Sequence, residues 1–220
     1  MKTLAILGGT GKEGAGLAMR WALHGYPVLI GSRSAAKAKT RAAEMNSELS
    51  GEYLKGLANA EAAAAADIII LSVPYSAHQA TLNGVREQCQ GKVLVDLTVP
   101  LQPPEITRVN LPAGGAAALE AQALLGAAVT VVAAFQNVSA VKLKKLDQPV
   151  DCDVLVCADD LAARSAVIEL VKAAGMRGLD AGGLKNAVAA ESLTPVLLHI
   201  NKTYGVQGAG IRISGLDDGK

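Results

Sequence analysis

The sequence predicts an α/β protein, a doubly wound parallel sheet followed by a smaller C-terminal α/β lobe. Three observations carry that prediction. Short apolar runs rich in Val, Ile and Leu alternate with amphipathic stretches along the 220 residues. One run, Asp67-Ile68-Ile69-Ile70-Leu71-Ser72-Val73, is unbroken, as suits a parallel strand covered on both faces. The first run leads straight into Gly8-Gly9-Thr10-Gly11-Lys12-Glu13-Gly14, a glycine-rich turn between a strand and a helix. Together these define a Rossmann-type dinucleotide-binding domain over residues 1–138 and a lobe over 139–220.

The elements follow in order. Residues 3–7 form a first strand, and Gly14, Leu17, Ala18 and Trp21 then recur at helical spacing until Gly25 and Pro27 stop the helix. Residues 28–30 form a second strand, and a second helix starts at 32–34 and runs towards 49. Residues 51–57 read as a short edge strand, and 61–66 as a helix on alanine propensity. After the strand at 67–73 come a helix over 76–90 and a strand over 92–97. The proline-rich stretch 100–112 is a linker or a loop over the cofactor. A helix over 115–125 and a strand over 129–135 complete the alternation. From Ser139 the character changes: 141–146 is short and basic, 154–157 is a strand, and Asp159-Asp160 starts a helix carrying Val167, Ile168, Leu170 and Val171 before Gly175. The last helix, over 184–201, contains Pro195, which frees the carbonyl of Glu191 and predicts a kinked wall for a pocket.

Composition removes whole function classes. Half the residues are hydrophobic, 3% are aromatic and the net charge is +1, so the basic stripe with stacking aromatics of a nucleic-acid binder is missing. Cys89, Cys152 and Cys157 form neither a CxxC pair nor an even framework. They read as small buried hydrophobes rather than metal ligands. No secretory pattern opens the chain, and the apolar stretch 121–135 is interrupted by Gln122 and Thr130 and is too short for a bilayer. A cytoplasmic protein with no membrane and no nucleic-acid partner is expected.

The turn sets the chemistry. In Gly9-x-Gly11-x-x-Gly14, Gly9 allows a tight turn, Gly11 lets the backbone approach a pyrophosphate, and Gly14 lets the helix pack on the strand. Free N–H groups at the helix start favour a dianion. An NAD-specific site places an acidic residue roughly 20 positions into the motif. Here the second strand ends Gly31-Ser32-Arg33, so a hydroxyl, a guanidinium and, from Lys37, an ammonium meet a 2′-phosphate instead. NADP(H) is the expected cofactor. No nucleophile or acid-base constellation stands out: His24, His78 and His199 lie far apart and read as structural, Ser72 and Ser192 have no nucleophile-elbow context, and no metal site or catalytic side chain is expected. That poverty suits hydride transfer between two bound cofactors, which asks for proximity and orientation more than proton transfer.

Gly8-Gly9-Thr10-Gly11, Gly31-Ser32-Arg33, Ser72-Val73-Pro74-Tyr75, Val156-Cys157-Ala158-Asp159-Asp160, Leu179-Asp180-Ala181-Gly182 and Glu191-Ser192-Leu193-Thr194-Pro195 together resemble the NADPH-dependent reductases of the deazaflavin coenzyme F420. The resemblance covers nearly the whole chain in order, and its late blocks are the more specific ones. It implies a homodimer and direct hydride transfer in a crevice between domain and lobe, with small-molecule cofactors as partners. By the same resemblance Thr10, Gly11, Lys12 and Glu13 cradle the pyrophosphate, and Ser32, Arg33 and Lys37 hold the 2′-phosphate. Val73, Pro74, Tyr75, Gln79 and Ala140 line the nicotinamide half, while Gln136, Asn137 and Thr194 face the deazaflavin. The sequence departs from archaeal members, which carry His where Gln136 stands, Pro where Ser139 stands, and Asn-Leu in place of Lys12-Glu13. Lys142, Lys144 and Lys145 are positioned to meet an acidic tail on the acceptor. Two other readings stand beside this one: an NADPH-dependent reductase of a flavin, a ferric chelate or an imine, and a non-catalytic NADP-sensing protein.

Overall fold

The computed structural model describes residues 1–216, so the last residues of the lobe expected over 139–220 lie outside the described residues. The first strand, β1 (Leu4–Leu7), feeds α1 (Lys12–Leu23), and β2 (Val28–Ser32) feeds α2 (Ala35–Glu48). They are followed by β3 (Leu54–Ala58), α3 (Asn59–Ala65), β4 (Ile68–Leu71), α4 (Tyr75–Asn83), β5 (Val93–Asp96), α5 (Ala117–Leu125) and β6 (Thr130–Ala133). These six strands form one parallel sheet in the order β3-β2-β1-β4-β5-β6. This is the order of the doubly wound dinucleotide folds, whose crevice opens where the winding reverses, between β1 and β4.

Strand alternation builds two hydrophobic layers. Leu4 and Ile6 face one side of the sheet with Ile30, Ile68, Ile70, Val95 and Val132, against α1 and α2. Ala5 and Leu7 face the other with Ile69, Leu71, Leu94 and Val131, against α3, α4 and α5. Side chains of successive residues point to opposite faces, and helices cover both, which is why the strands need no polar positions.

The chain then continues through α6 (Ala140–Leu143), β7 (Asp153–Val156), α7 (Leu161–Ala173), β8 (Arg177–Asp180), a 3-10 turn (Leu184–Asn186) and α8 (Ala187–Tyr204). The parallel pair β7-β8 is joined to the large sheet by an antiparallel bridge between Ala133 and Cys157, with N···O distances of 2.9 and 3.0 Å. Buried Arg20 of α1 donates to the carbonyls of Leu143, Ala174, Lys145 and Gln148. Trp21 Nε1 donates to Leu170 O, 2.8 Å away. These bonds fix α6 and α7 against the nucleotide-side helix.

The structure corrects several element boundaries. The helix expected over 76–90 ends at Asn83, because Gly84 follows and the segment breaks into turns. The strand β8 was not expected: Arg177, Gly178 and Leu179 are half-buried and Asp180 is exposed, and the four leave no apolar run to read. The last helix starts at Ala187, after the 3-10 turn, and continues through Pro195 to Tyr204. Gly205 then closes it in the left-handed conformation, with φ of 63°.

Candidate functional site

The glycine turn divides its labour differently from the expectation. The left-handed residue is Gly8, with φ of 76°, and a Cβ there would collide with Ser72 O. A Cβ on Gly9 would lie 2.8 Å from Ile6 O, and one on Gly14 would lie 3.1 Å from both Gly9 Cα and Ser72 Oγ. These three glycines serve the fold. Gly11 does not: its φ is −73°, it is exposed, and an added Cβ meets only Gly8 O at 3.4 Å. A glycine unnecessary for packing at this point marks space kept for something outside the protein.

Gly11 is the cap residue of α1 and offers no side chain to its N–H groups. Gly9 N and Gly11 N are satisfied within the turn, and Ala15 N by Gly11 O. Among the described residues, the N–H groups of Thr10, Lys12, Glu13 and Gly14 have no protein acceptor. Such a helix start is an anion site. Burial pushes the Glu13 carboxyl up to about 8, although part of the side chain still touches solvent. The direction is what matters, since a neutral Glu13 is the form that tolerates an anion beside it.

At the end of β2, Ser32 Oγ accepts from Ser34 N–H at 3.3 Å, and Ser34 caps α2 by accepting from Lys37 N–H. Arg33 and Lys37 are exposed and have no carboxylate partner among the described residues. Ser32 and Arg33 border a cavity of about 620 Å³ together with Asn59, Pro74 and Ala77. Tyr75 and Gln79 border a different one of about 460 Å³, with His78 and Glu120. Val73 lies against the glycine turn, its Cγ1 close to where a Gly8 Cβ would fall. Of the residues expected along the nicotinamide half, Pro74 therefore borders one hollow and Tyr75 with Gln79 another, on either side of the β4 to α4 junction.

Gln136, Asn137, Ala140 and Thr194 come together around a third cavity of about 170 Å³, so Ala140 sits with the acceptor group and not with Val73 and Pro74. Gln136 follows Phe135, which is fully buried, in edge contact with Trp21 and held at φ of 73°. A left-handed aromatic residue is a strained conformation that only surrounding packing maintains. It aims the next residue: Gln136 Nε2 donates to Asp96 O at 2.8 Å, and Gln136 O accepts from Thr194 Oγ1 at 2.6 Å. Gln136 Oε1 is buried and has no partner. Asn137 gives its amide hydrogens to Asp153 O and Cys152 Sγ, so it ties β7 to the site. The Thr194 hydroxyl hydrogen is likewise spent on a cross-link.

Beneath this wall lies a cluster that the sequence reading missed. His78 Nε2 is 2.7 Å from Asp96 Oδ2 and both side chains are buried. His78 is therefore not a lone imidazole: burial opposes its charge, but the hydrogen bond and charge of Asp96 outweigh it and raise its pKa. Asp96 Oδ1 also accepts from Thr98 N–H. Tyr75 OH donates to Glu120 Oε2 at 2.8 Å, and burial together with Glu120 pushes the phenol up to about 12. Glu191 caps α5 from another helix, accepting from Ala117 N–H at 2.7 Å and Ala118 N–H at 3.0 Å. Burial pushes its carboxyl up to about 7 against the pull of those two bonds. The partners are 18 and 73–74 residues apart, so no local pattern announces them.

The three cysteines are buried thiols, as expected, and burial pushes Cys89 and Cys157 up to about 11. Among the described residues no group of three or more His, Cys, Asp or Glu side chains is arranged to hold a metal ion, and no helix is long and apolar enough to cross a membrane.

A 3-2-1-4-5-6 parallel sheet with an uncapped helix start at its switch point defines a dinucleotide-binding protein of the Rossmann class. Residues 3–100 match the family described as NADP oxidoreductase, coenzyme F420-dependent. The chain is 41% identical to the F420-dependent NADP reductase of Methanothermobacter thermautotrophicus, over 98% of this chain and 96% of that one. To its counterpart from Methanocaldococcus jannaschii it is 39% identical, over 97% and 99%. A solved structure of a hypothetical protein from Sinorhizobium meliloti superposes with a TM-score of 0.69 at 23% identity, covering 87% of this chain and 88% of that one, which confirms the fold. The chain belongs to the F420-dependent NADP reductase family.

Proposed function

We propose that this protein transfers a hydride directly between NADPH and the deazaflavin coenzyme F420. The observation that carries the reading is that two incomplete surfaces lie beyond the carboxyl ends of strands of one sheet, after β1 and after β6. On one side is a helix start with four unsatisfied N–H groups, and on the other a rigid wall with the orphaned buried oxygen of Gln136. Family membership supplies the identity of the two ligands.

The residues fit both groups. Thr10, Lys12, Glu13 and Gly14 would hold the diphosphate through backbone N–H groups, with Gly9 keeping the turn tight and Gly11 leaving room for the diphosphate to approach. Ser32, Arg33 and Lys37 would bind the 2′-phosphate, and Val73, Pro74, Tyr75 and Gln79 would flank the nicotinamide half. Gln136, with Asn137, Ala140 and Thr194 around it, would present an acceptor oxygen to the deazaflavin ring. When bound, the nicotinamide supplies a hydride and the deazaflavin takes it up. The chain's part is to hold two rings face to face and keep water away, which needs rigidity rather than an acid. Phe135, the Gln136 bonds to Asp96 and Thr194, and the Glu191 cap supply that rigidity.

The same reading makes the domain over 1–138 the NADP-binding part and the lobe over 139–220 the completion of the acceptor side, in a cytoplasmic homodimer. Exposed Ile106, Val109 and Leu111 on the proline-rich segment supply apolar surface for such an interface. The test mixes protein and NADPH with oxidised F420, free flavin or a ferric chelate in separate cuvettes and follows acceptor absorbance. Turnover of F420 is expected. Turnover of flavin or iron without F420 would move the function to another acceptor, and binding of NADPH with no turnover at all would leave a sensor.

A further inference from the structure

Asn59 opens α3 immediately after β3, and its side chain lies against the end of β2: a Cβ on Gly31 would come within 2.8 Å of Asn59 Oδ1. That oxygen is buried and has no hydrogen-bond partner. Among the described residues the amide makes no hydrogen bond through its nitrogen either. A buried amide oxygen without a partner is unfavourable unless something else pairs with it.

What it borders says what that is. The cavity of about 620 Å³ has Ser32 and Arg33 at one end, and its walls are largely Ala60, Pro74, Ala77 and Ala80. This is the size of a ligand site, with flat apolar walls suited to a planar heteroaromatic ring. Of the other uncharged polar side chains on this lining, Ser32 Oγ accepts from Ser34 N–H and Thr81 Oγ1 donates to Ala77 O, while Ser76 offers a single hydroxyl and not an acceptor and a donor side by side. A side-chain amide offers an acceptor and a donor side by side, which complements the amino group and N7 of adenine. Hypoxanthine shows two acceptors on that edge and satisfies one half of the amide whichever way the amide turns.

We propose that Asn59 reads the adenine base of the dinucleotide, accepting from its amino group and donating to N7, and so selects adenine over other purines. This rests on the NADP reading of the cavity. The Ser32 and Arg33 end then takes the ribose phosphate while the base lies along Pro74 and Ala77.

The test measures dissociation constants for NADPH and for its analogue with hypoxanthine in place of adenine, on wild type, Asn59→Ala, Asn59→Ser and Arg33→Ala. Wild type should favour NADPH by about tenfold. Both Asn59 variants should lose most of that preference by weakening NADPH alone, and their melting temperatures without ligand should not fall, since the amide supports no other group. Arg33→Ala should weaken both nucleotides alike and keep the ratio. Asn59 variants that retain the adenine preference, or weaken both nucleotides equally, would overturn the assignment while leaving the NADP reading intact. Failure of wild type to bind NADPH would overturn both.

Discussion

The nucleotide end and the acceptor end of this molecule are built by different rules. At the nucleotide end every functional group lies within a few residues of its neighbours: Gly8 to Gly14 make one turn, and Ser32 to Lys37 make one strand end and helix start. Its donors are mostly backbone N–H groups, and its charged side chains Arg33 and Lys37 are exposed with no carboxylate partner among the described residues. At the acceptor end the groups come from β5, α5, the segment after β6 and α8, are buried or half-buried, and hold one another through long-range bonds. The first end works by leaving groups open for a ligand. The second works by closing them until a single buried oxygen remains.

The sharpest way to break that contrast is within the glycine turn itself. Gly8→Ala places a Cβ against Ser72 O at a left-handed φ. It should cost about 3 kcal/mol, the sum of strain and overlap, which for a chain of this size lowers the melting temperature by about 6–12 °C. Gly11→Val should leave the melting temperature nearly unchanged and abolish measurable NADPH binding. A Gly11 variant that unfolds while its folded fraction keeps NADPH affinity would show that both glycines are structural.

The contrast also explains what could be read in the sequence. The glycine turn, Ser32, Arg33 and the strand alternation are local patterns, and each is found where it was expected. Even there the strained position fell on Gly8 rather than Gly9, because spacing shows which residues are glycine and not which φ is positive. His78 with Asp96, and Glu191 with the first N–H groups of α5, were illegible. A β/α alternation says which elements exist but not which carboxylate reaches which helix end. Residues expected to touch a ligand, Asn137 and Thr194, turned out to spend their donors on Asp153 O and Gln136 O.

Next in size is Arg33→Ala, which removes a charge-assisted phosphate contact. It should cost about 1.5–3 kcal/mol in NADPH affinity and leave NADH affinity unchanged. Parallel titrations of both nucleotides check this, and a variant that still prefers NADPH would place the 2′-phosphate elsewhere.

A smaller effect separates the closed end. Glu191→Gln puts an amide NH2, which cannot accept, where the protonated carboxyl still has a hydroxyl oxygen facing a backbone N–H, and should cost about 1 kcal/mol at low pH. The carboxyl sits at about 7 against its ordinary 4.5, so between these values the folded protein holds a proton that the unfolded chain has released. Its contribution is complete below about 4.5 and declines as pH rises through about 7. The raised His78 acts in the same direction, contributing fully below its ordinary 6.5 and less as pH rises through its folded value. Urea unfolding near pH 5 and pH 8 should therefore show wild type losing its advantage over Glu191→Gln at the higher pH. An advantage that grows with pH would reverse the account of this carboxyl.

The smallest effect belongs to the exposed lysines. Lys144→Ala with Lys145→Ala should raise the KM for F420 by less than about threefold at physiological salt, and more at low salt, as for any solvated pair. A large effect that ignores salt would mean that the acceptor's tail is bound in a fixed pose there.

The central claim is that the open and the closed end face each other across one hydride. It is tested most directly with NADPH carrying deuterium on the transferred face of the nicotinamide, in ordinary water. Mass spectrometry of the reduced F420, after exchange of its N–H and O–H positions back into ordinary water, should find one deuterium per molecule, bonded to ring carbon, and no carbon-bound deuterium when unlabelled NADPH is used in heavy water. Loss of the label to solvent, or its appearance from heavy water, would contradict direct transfer.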